Sequence, residues 1–390
     1  MIRSVLLALG LLGGTAACAA VSRPPASIAS LQGEAVALAA RDRQVRDSVV
    51  ARLVRRVERR GDRTLDVLML SGGGQNGAFG AGFLRGWRSR SDQPMPRFDL
   101  VTGISTGALQ APYALLGTRA AIDTVTALYA RAATSIAPTF DWWFWLRRTG
   151  GLVNTKRFDR TVEQSIDGRF RDELRAAFAE DRQILFASTD FDLGIGRLWS
   201  LGDELDTTAA GLQRTRRLLK AATAIPGVFP PVVIDGHVHA DGGVVENVLP
   251  GLEFADYTRL GQALAARGLG DVTVRVFVLM NIWTHGEPRV IDPSNRSAIS
   301  TRSTGLLFYL HQSSTLDRLQ NLARAVSAEV PGVRMELRVA ALPSGESTSP
   351  GAEKLFERRF MQRLDSIGFA KARGSASWDS VSSAFRRPER

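Results

Sequence analysis

The chain has 390 residues, 44% of them hydrophobic and 23% charged, with 50 Lys+Arg against 39 Asp+Glu and a single cysteine, Cys18. These proportions exclude collagen-like, coiled-coil, disordered and multi-span membrane classes, and the length suffices for one large core without a disulfide or metal staple. One cysteine also excludes a disulfide framework and Cys-rich zinc or iron–sulfur sites. The net charge of +11 rests on arginine, since Lys156, Lys220, Lys354 and Lys371 are the only lysines. Such a balance favours anionic partners, either nucleic acid or an acidic lipid surface. With no RGG run, no zinc pattern and no basic stripe interleaved with aromatics, a nucleic-acid partner is not expected.

Residues 1–17 read as a signal peptide: one Arg, an apolar run from Val5 to Leu12, then small residues. The run is too short and too Gly-rich for a membrane span. Thr15-Ala16-Ala17-Cys18 resembles the bacterial lipobox, in which the cysteine becomes the acylated first residue of a mature lipoprotein. The expectation is an exported chain lipidated at Cys18 and facing the periplasm from the outer membrane. The other reading is cleavage near Ala20, giving a periplasmic or secreted protein.

Residues 18–40, rich in Ala, Ser and Pro, are expected to form a tether. Over 41–63, Val45, Val49, Val50, Leu53, Val54 and Val57 recur at helical spacing, while nine Arg and four acidic residues take other positions. This basic amphipathic helix suits either a membrane surface or packing of its valine stripe on the domain, and packing is the favoured reading.

A regular α/β pattern follows and defines the main domain over 64–343. Strand-like runs at 65–70, 98–104, 184–189, 196–201, 272–280 and 335–342 alternate with Ala/Leu-rich helical stretches. That order predicts an α/β fold with a mostly parallel central sheet covered by helices on both faces. Residues 344–390 are expected to be a C-terminal helical extension, with Leu355, Phe356, Phe360, Leu364 and Ile367 on one helix face.

Two glycine motifs sit between strands and helices. Ser71-Gly72-Gly73-Gly74-Gln75-Asn76-Gly77 precedes a helix carrying Phe79, Phe83 and Trp87. Glycines at a helix N-terminus let backbone N–H groups approach an anion. Gly72, Gly74 and Gly77 satisfy G-x-G-x-x-G, so a Rossmann-like nucleotide-binding domain stands as an alternative. The acidic residue that such a fold wants at the end of the second strand is missing, because that strand ends Gly103-Ile104-Ser105. Gly103-Ile104-Ser105-Thr106-Gly107 is G-x-S-x-G in strand–turn–helix context, the setting in which a strained turn presents a nucleophilic serine. Among the four histidines, His237 and His239 flank Val238 just before Asp241-Gly242-Gly243. No persuasive third ligand accompanies the H-x-H pair, so no metal is expected. The aromatic run Asp141-Trp142-Trp143-Phe144-Trp145 would suit a lipid interface if exposed; a buried position or a cap over the site is the favoured reading.

Together these residues resemble the patatin-like phospholipases, serine lipid acyl hydrolases with a Ser–Asp dyad and a three-layer α/β/α fold. The Gly-rich loop 72–77, the Gly103–Gly107 motif and Asp241-Gly242-Gly243 match in order. Residues 221–231, AATAIPGVFPP, resemble the stretch that precedes the Asp-Gly-Gly turn in bacterial members. The resemblance implies Ser105 as nucleophile, Asp241 as its partner, and backbone N–H groups of Gly72, Gly73, Gly74 and Thr106 as the oxyanion hole. It implies no cofactor, and phospholipids or lysophospholipids of a membrane as substrates. Many members carry Arg or Lys after the variable residue of the Gly-rich loop, where this chain has Asn76. A catalytically weak envelope lipoprotein acting as an interaction platform is therefore a further alternative.

Overall fold

The computed structural model describes residue 23, residues 26–143 and residues 149–379; the expected signal peptide and Cys18 lie outside the described residues. The helices are α1 (Ile28–Arg60), α2 (Gly77–Arg88), α3 (Thr106–Leu116), α4 (Arg119–Ser135), α5 (Lys156–Ser165), α6 (Gly168–Ala179), α7 (Leu201–Glu204), α8 (Ala209–Ala222), α9 (Phe254–Ala265), α10 (Arg296–Glu329) and α11 (Arg358–Arg373). The strands are β1 (Thr64–Leu70), β2 (Leu100–Ile104), β3 (Thr139–Phe140), β4 (Val153–Asn154), β5 (Gln183–Asp190), β6 (Ile195–Ser200), β7 (Val232–Ile234), β8 (His237–Asp241), β9 (Val272–Met280) and β10 (Val333–Ala341).

The main sheet runs β10-β9-β1-β2-β5-β8-β7, with β6 pairing β5 off that path. From β10 to β5 all pairings are parallel, whereas β6, β8 and β7 join antiparallel. The mostly parallel sheet is thus as expected, with an antiparallel margin. Alternating side chains of each strand feed two separate cores. Leu68 and Leu70 of β1 and Phe277 and Leu279 of β9 pack with α2, α3, α4 and α11. Leu65, Val67 and Met69, with Val274, Val276 and Val278, pack with α1, α9 and α10 on the other face. Two cores on either side of one sheet make the fold a three-layer α/β/α sandwich.

Helix α1 starts inside the segment expected to be a tether. Ser27 accepts from the Ser30 N–H and Ser30 returns a bond to the Ser27 backbone, so a capping box launches the helix at Ile28 rather than near residue 41. Val49, Val50, Leu53, Val54 and Val57 are buried against the sheet. Arg56 Nε lies 2.7 Å and Arg60 Nη1 2.9 Å from Asp99 Oδ1, which fixes the last turn to the start of β2.

The C-terminal helix is likewise an integral part of one layer. A side chain on Gly82 of α2 would strike the Asp365 carbonyl at 2.1 Å, and one on Gly368 of α11 would strike the Phe79 carbonyl at 2.1 Å. Glycine at both positions lets the two helix backbones touch. Trp378 closes the same core against Phe83 and Trp87, with ring centroids 5.0 and 4.8 Å apart.

Candidate active site

Ser105 occupies the junction of β2 and α3 with φ 51° and ψ −122°, a region that non-glycine residues rarely adopt and that marks stored strain. Its neighbours allow the turn. A Cβ on Gly103 would lie 2.4 Å from the Gly107 carbonyl, and one on Gly107 would lie 2.3 Å from the Leu70 carbonyl. Glycine at both ends of the motif therefore lets α3 fold back onto β2 and β1, lifting Ser105 above the strand ends at a helix N-terminus.

The sheet register brings Asp241 to the same point across 136 residues of sequence. Strand β6 holds one edge of β5, so β2 and β8 share the other. Ile104 of β2 pairs with Ala187, and Asp241 of β8 pairs with the very next residue, Ser188. Strand β8 thus takes up the ladder where β2 leaves it. Ser105 Oγ donates to Asp241 Oδ2 at 2.5 Å, and Asp241 Oδ1 accepts the Gly243 N–H at 2.8 Å. Gly242 is required beside it because a Cβ there would meet the Ala187 carbonyl at 2.5 Å. Burial pushes the Asp241 carboxyl up from its ordinary 3.8 to about 6, against the opposing pull of the Ser105 and Gly243 hydrogen bonds.

The Gly-rich loop packs against the serine, but its amides are not equivalent. The Gly72 N–H donates to the Asn247 carbonyl at 3.1 Å. This corrects the expectation that it serves an oxyanion. Gly72 is there for close approach: a Cβ would lie 2.3 Å from Asn247 Oδ1 and 3.2 Å from the Ser105 Cβ. The N–H groups of Gly73, Gly74 and Thr106 have no acceptor among the described residues. Gly73 (φ 156°) and Gly74 (φ 55°) both take backbone conformations that favour glycine.

A cleft of about 330 Å³ contains Gly73, Gly74, Asn76, Ser105, Asp241 and Asn247, walled by Ile225, Pro226, Val244 and Leu355. Its lining is mainly apolar, as a site for a hydrocarbon chain would be. A larger cavity of about 470 Å³, bordered by Asp42, Arg46, Arg197, Glu253 and Arg318, contains neither Ser105 nor Asp241.

Several supports carry no motif and escaped sequence reasoning. Asn281, one residue past β9, donates its backbone N–H to Ser71 Oγ at 2.7 Å and its Nδ2 to the Ser71 carbonyl at 3.0 Å. Gln110 Nε2 donates to the Gly77 carbonyl at 2.6 Å, and the hydroxyls of Tyr129 and Thr106 are hydrogen-bonded. Gln75 ties the loop to the C-terminal segment, donating to the Lys354 carbonyl at 2.6 Å and accepting the Glu357 N–H at 2.9 Å. Asn76 is buried at the cleft wall, its Oδ1 unpartnered among the described residues.

Neither histidine of the H-x-H pair reaches Ser105. His237 Nε2 lies 2.6 Å from Glu34 Oε2 and its Nδ1 2.9 Å from Asp190 Oδ2. His239 Nδ1 sits 3.0 Å from Ser188 Oγ, which also accepts from Trp199 Nε1. Burial lowers the His239 pKa to about 4, so this ring is neutral at ordinary pH. Asp190, Asp192 and His237 bring ligand-type atoms within 4.8 Å of one another. Both carboxylates already have structural work: Asp190 Oδ1 accepts the N–H groups of Asp192 and Leu193, and Asp192 Oδ2 accepts that of Val238.

The aromatic run is not buried where the structure describes it. Trp142 is 78% and Trp143 56% exposed, which overturns the favoured reading of a core or cap; Phe144 and Trp145 lie outside the described residues.

Residues 68–251 match the family model described as Patatin-like phospholipase. No curated protein matches the chain. Among solved structures it is similar to VipD from Legionella pneumophila, with 14% identity and a TM-score of 0.34. The alignment covers 79% of this chain and 66% of VipD, so the chain spans just under two thirds of that protein. The likeness is too loose to bear on the reaction.

Proposed function

We propose, from the match of residues 68–251 to the patatin-like phospholipase family model, that the chain hydrolyses acyl esters of lipids through Ser105 and Asp241. The observation that carries the reading is the 2.5 Å hydrogen bond from a strained, helix-capping Ser105 to a buried Asp241 at the floor of an apolar cleft. A carboxylate of ordinary pKa is a weak base; the raised proton affinity of Asp241 brings it nearer the range a general base needs. Ser105 Oγ attacks the ester carbonyl as its proton passes to Asp241 Oδ2. The N–H groups of Gly73, Gly74 and Thr106, together with the α3 dipole, bear the developing oxyanion. Collapse of the tetrahedral adduct breaks the bond to the alcohol, which leaves with the proton from Asp241. Water then attacks the acyl-serine, again giving its proton to Asp241, and Ser105 departs with that proton as the fatty acid is released.

Phospholipids or lysophospholipids are the proposed substrates, with an exported, Cys18-anchored protein facing the periplasm as the proposed setting. Among the described residues no helix is long and apolar enough to cross a membrane. A nucleotide in the Gly-rich loop is the weaker reading, because the Gly72 amide is already engaged by Asn247 and no acidic residue follows β2.

The test is mass-spectrometric identification of products from a mixed lipid extract, comparing the wild type with Ser105→Ala. Free fatty acid and the matching deacylated lipid from the wild type alone support the proposal. Identical profiles from the two proteins overturn it.

A further inference from the structure

We propose that Trp142 and Trp143, just past β3, together with Lys156 and Arg157, at the start of α5, dock the protein onto a lipid surface bearing anionic headgroups. The choice of a lipid partner rests on the ester-hydrolase reading of the neighbouring cleft.

The β3–β4 pair is joined to the wall of that cleft. Thr139 and Phe140 pair with Asn154 and Val153, and the Asp141 N–H donates to the Leu152 carbonyl at 2.9 Å. Beyond the pairing, the Leu152 and Val153 N–H groups both donate to the Val228 carbonyl, at 2.9 and 3.2 Å. Val153, Ala224 and Phe229 form a small apolar cluster of their own, against which Ile225, Val228 and Phe356 also pack. Ile225 lines the cleft on one side, and Leu355, next to Phe356, lines it too. The β3–β4 pair and the cleft wall therefore share one packed unit.

Apolar side chains are exposed both next to the β3–β4 pair and at the cleft. Trp142 and Trp143 are exposed, Leu152 is 40% exposed, and Val244 and Leu355 at the cleft are 48% and 52% exposed. Indole suits the boundary between headgroups and acyl chains, burying its ring while its N–H stays hydrated. Lys156 and Arg157 open α5 directly after β4, are exposed, and form no ion pair among the described residues. Elsewhere many arginines are neutralised at close range, as Arg55 and Arg59 are by Asp181. Two unpaired cations at one end of the β3–β4 pair and two exposed indoles at the other match a surface that is negative outside and apolar just beneath. Docking through these residues would bring the Ser105 cleft to the layer that holds its substrate.

The experiment uses the full chain with Cys18→Ser in every sample, so that no acyl anchor contributes. Co-sedimentation with phosphatidylglycerol/phosphatidylcholine vesicles is compared for Trp142→Ala/Trp143→Ala, Lys156→Glu/Arg157→Glu and the parent. Hydrolysis of a soluble short-chain ester is followed in parallel, and sedimentation velocity reports the oligomeric state. The expected result is at least a tenfold loss of vesicle affinity for each variant, with soluble-ester turnover within about twofold of the parent. Loss of vesicle binding by the parent on pure phosphatidylcholine is also expected. Unchanged vesicle affinity in the tryptophan variant overturns the proposal. So does a change from dimer to monomer with vesicle binding intact, which would make this face a contact between two copies. If the parent binds vesicles through these residues but cleaves no ester, the docking surface stands and the hydrolase reading fails.

Discussion

Replacing Asp241 by Asn separates the two consequences of burying a carboxyl group beside a serine. The folded chain holds the Asp241 proton more tightly than the unfolded chain, with a pKa of about 6 against 3.8. Below pH 3.8 the group is neutral in both states and makes no demand on the fold. As the pH rises from there to about 6, folding must keep a proton that the unfolded chain has already released, at ~1.4 kcal/mol for each pH unit. Above pH 6 the penalty is constant at about 3 kcal/mol. An Asn side chain keeps an oxygen for the Gly243 N–H and removes the charge. Asp241→Asn should therefore raise stability at about pH 8 by roughly 1–3 kcal/mol, with the gain shrinking almost to nothing near pH 4. Turnover should fall by about a hundred- to ten-thousandfold, the scale of a lost general base. Urea unfolding of both proteins at the two pH values, beside an esterase assay, reads both effects. Equal or lower stability of the variant at pH 8, or a gain independent of pH, would refute the buried-charge argument.

Other expectations follow from the same geometry. In the wild type, kcat/KM should climb as pH rises through about 6 and level off above it, since the free enzyme must hold Asp241 ionised; a profile flat from pH 4 to 8 would contradict that. Gly73→Ala places a Cβ 2.1 Å from the Asn281 carbonyl and must displace the loop, whereas at Gly74 a Cβ meets nothing within 4 Å. Turnover should fall on the order of a hundredfold at Gly73 and markedly less at Gly74, where only left-handed strain of about 1–2 kcal/mol enters. His237→Ala/His239→Ala should keep most activity, because those rings bind Glu34, Asp190 and Ser188 rather than Ser105; a folded but inactive double variant would point to a different base.

Long apolar runs made the parallel part of the sheet legible. The run at 272–280 became β9 residue for residue, and that at 65–70 differs from β1 only by Thr64. The glycine motifs were legible for the same kind of reason, because a strained turn and a close backbone approach leave a residue type behind. In the antiparallel margin β6 was legible as the run at 196–201, whereas β7 is only three residues long and β8 carries two histidines and an aspartate, so neither makes an apolar run long enough to read. The start of α1 was hidden because its first turns face solvent, with Ile28 73% and Val36 74% exposed and no apolar stripe to mark them. Asn281, Gln110 and Asn247 act through tertiary proximity alone. The spent amide of Gly72 is of the same kind, since no sequence pattern says which N–H of a glycine run already has an acceptor. Exposure of Trp142 and Trp143 was equally beyond composition, which fixes that indoles occur together but not which way they face.

The central claim is that Ser105 is a nucleophile activated by Asp241. Labelling the full chain with a fluorophosphonate, followed by peptide mapping, tests it most directly. The account predicts a single adduct on Ser105, absent from Ser105→Ala and slowed by at least about a hundredfold in Asp241→Asn. An adduct on another residue, or undiminished labelling of the Asp241→Asn protein, would contradict it.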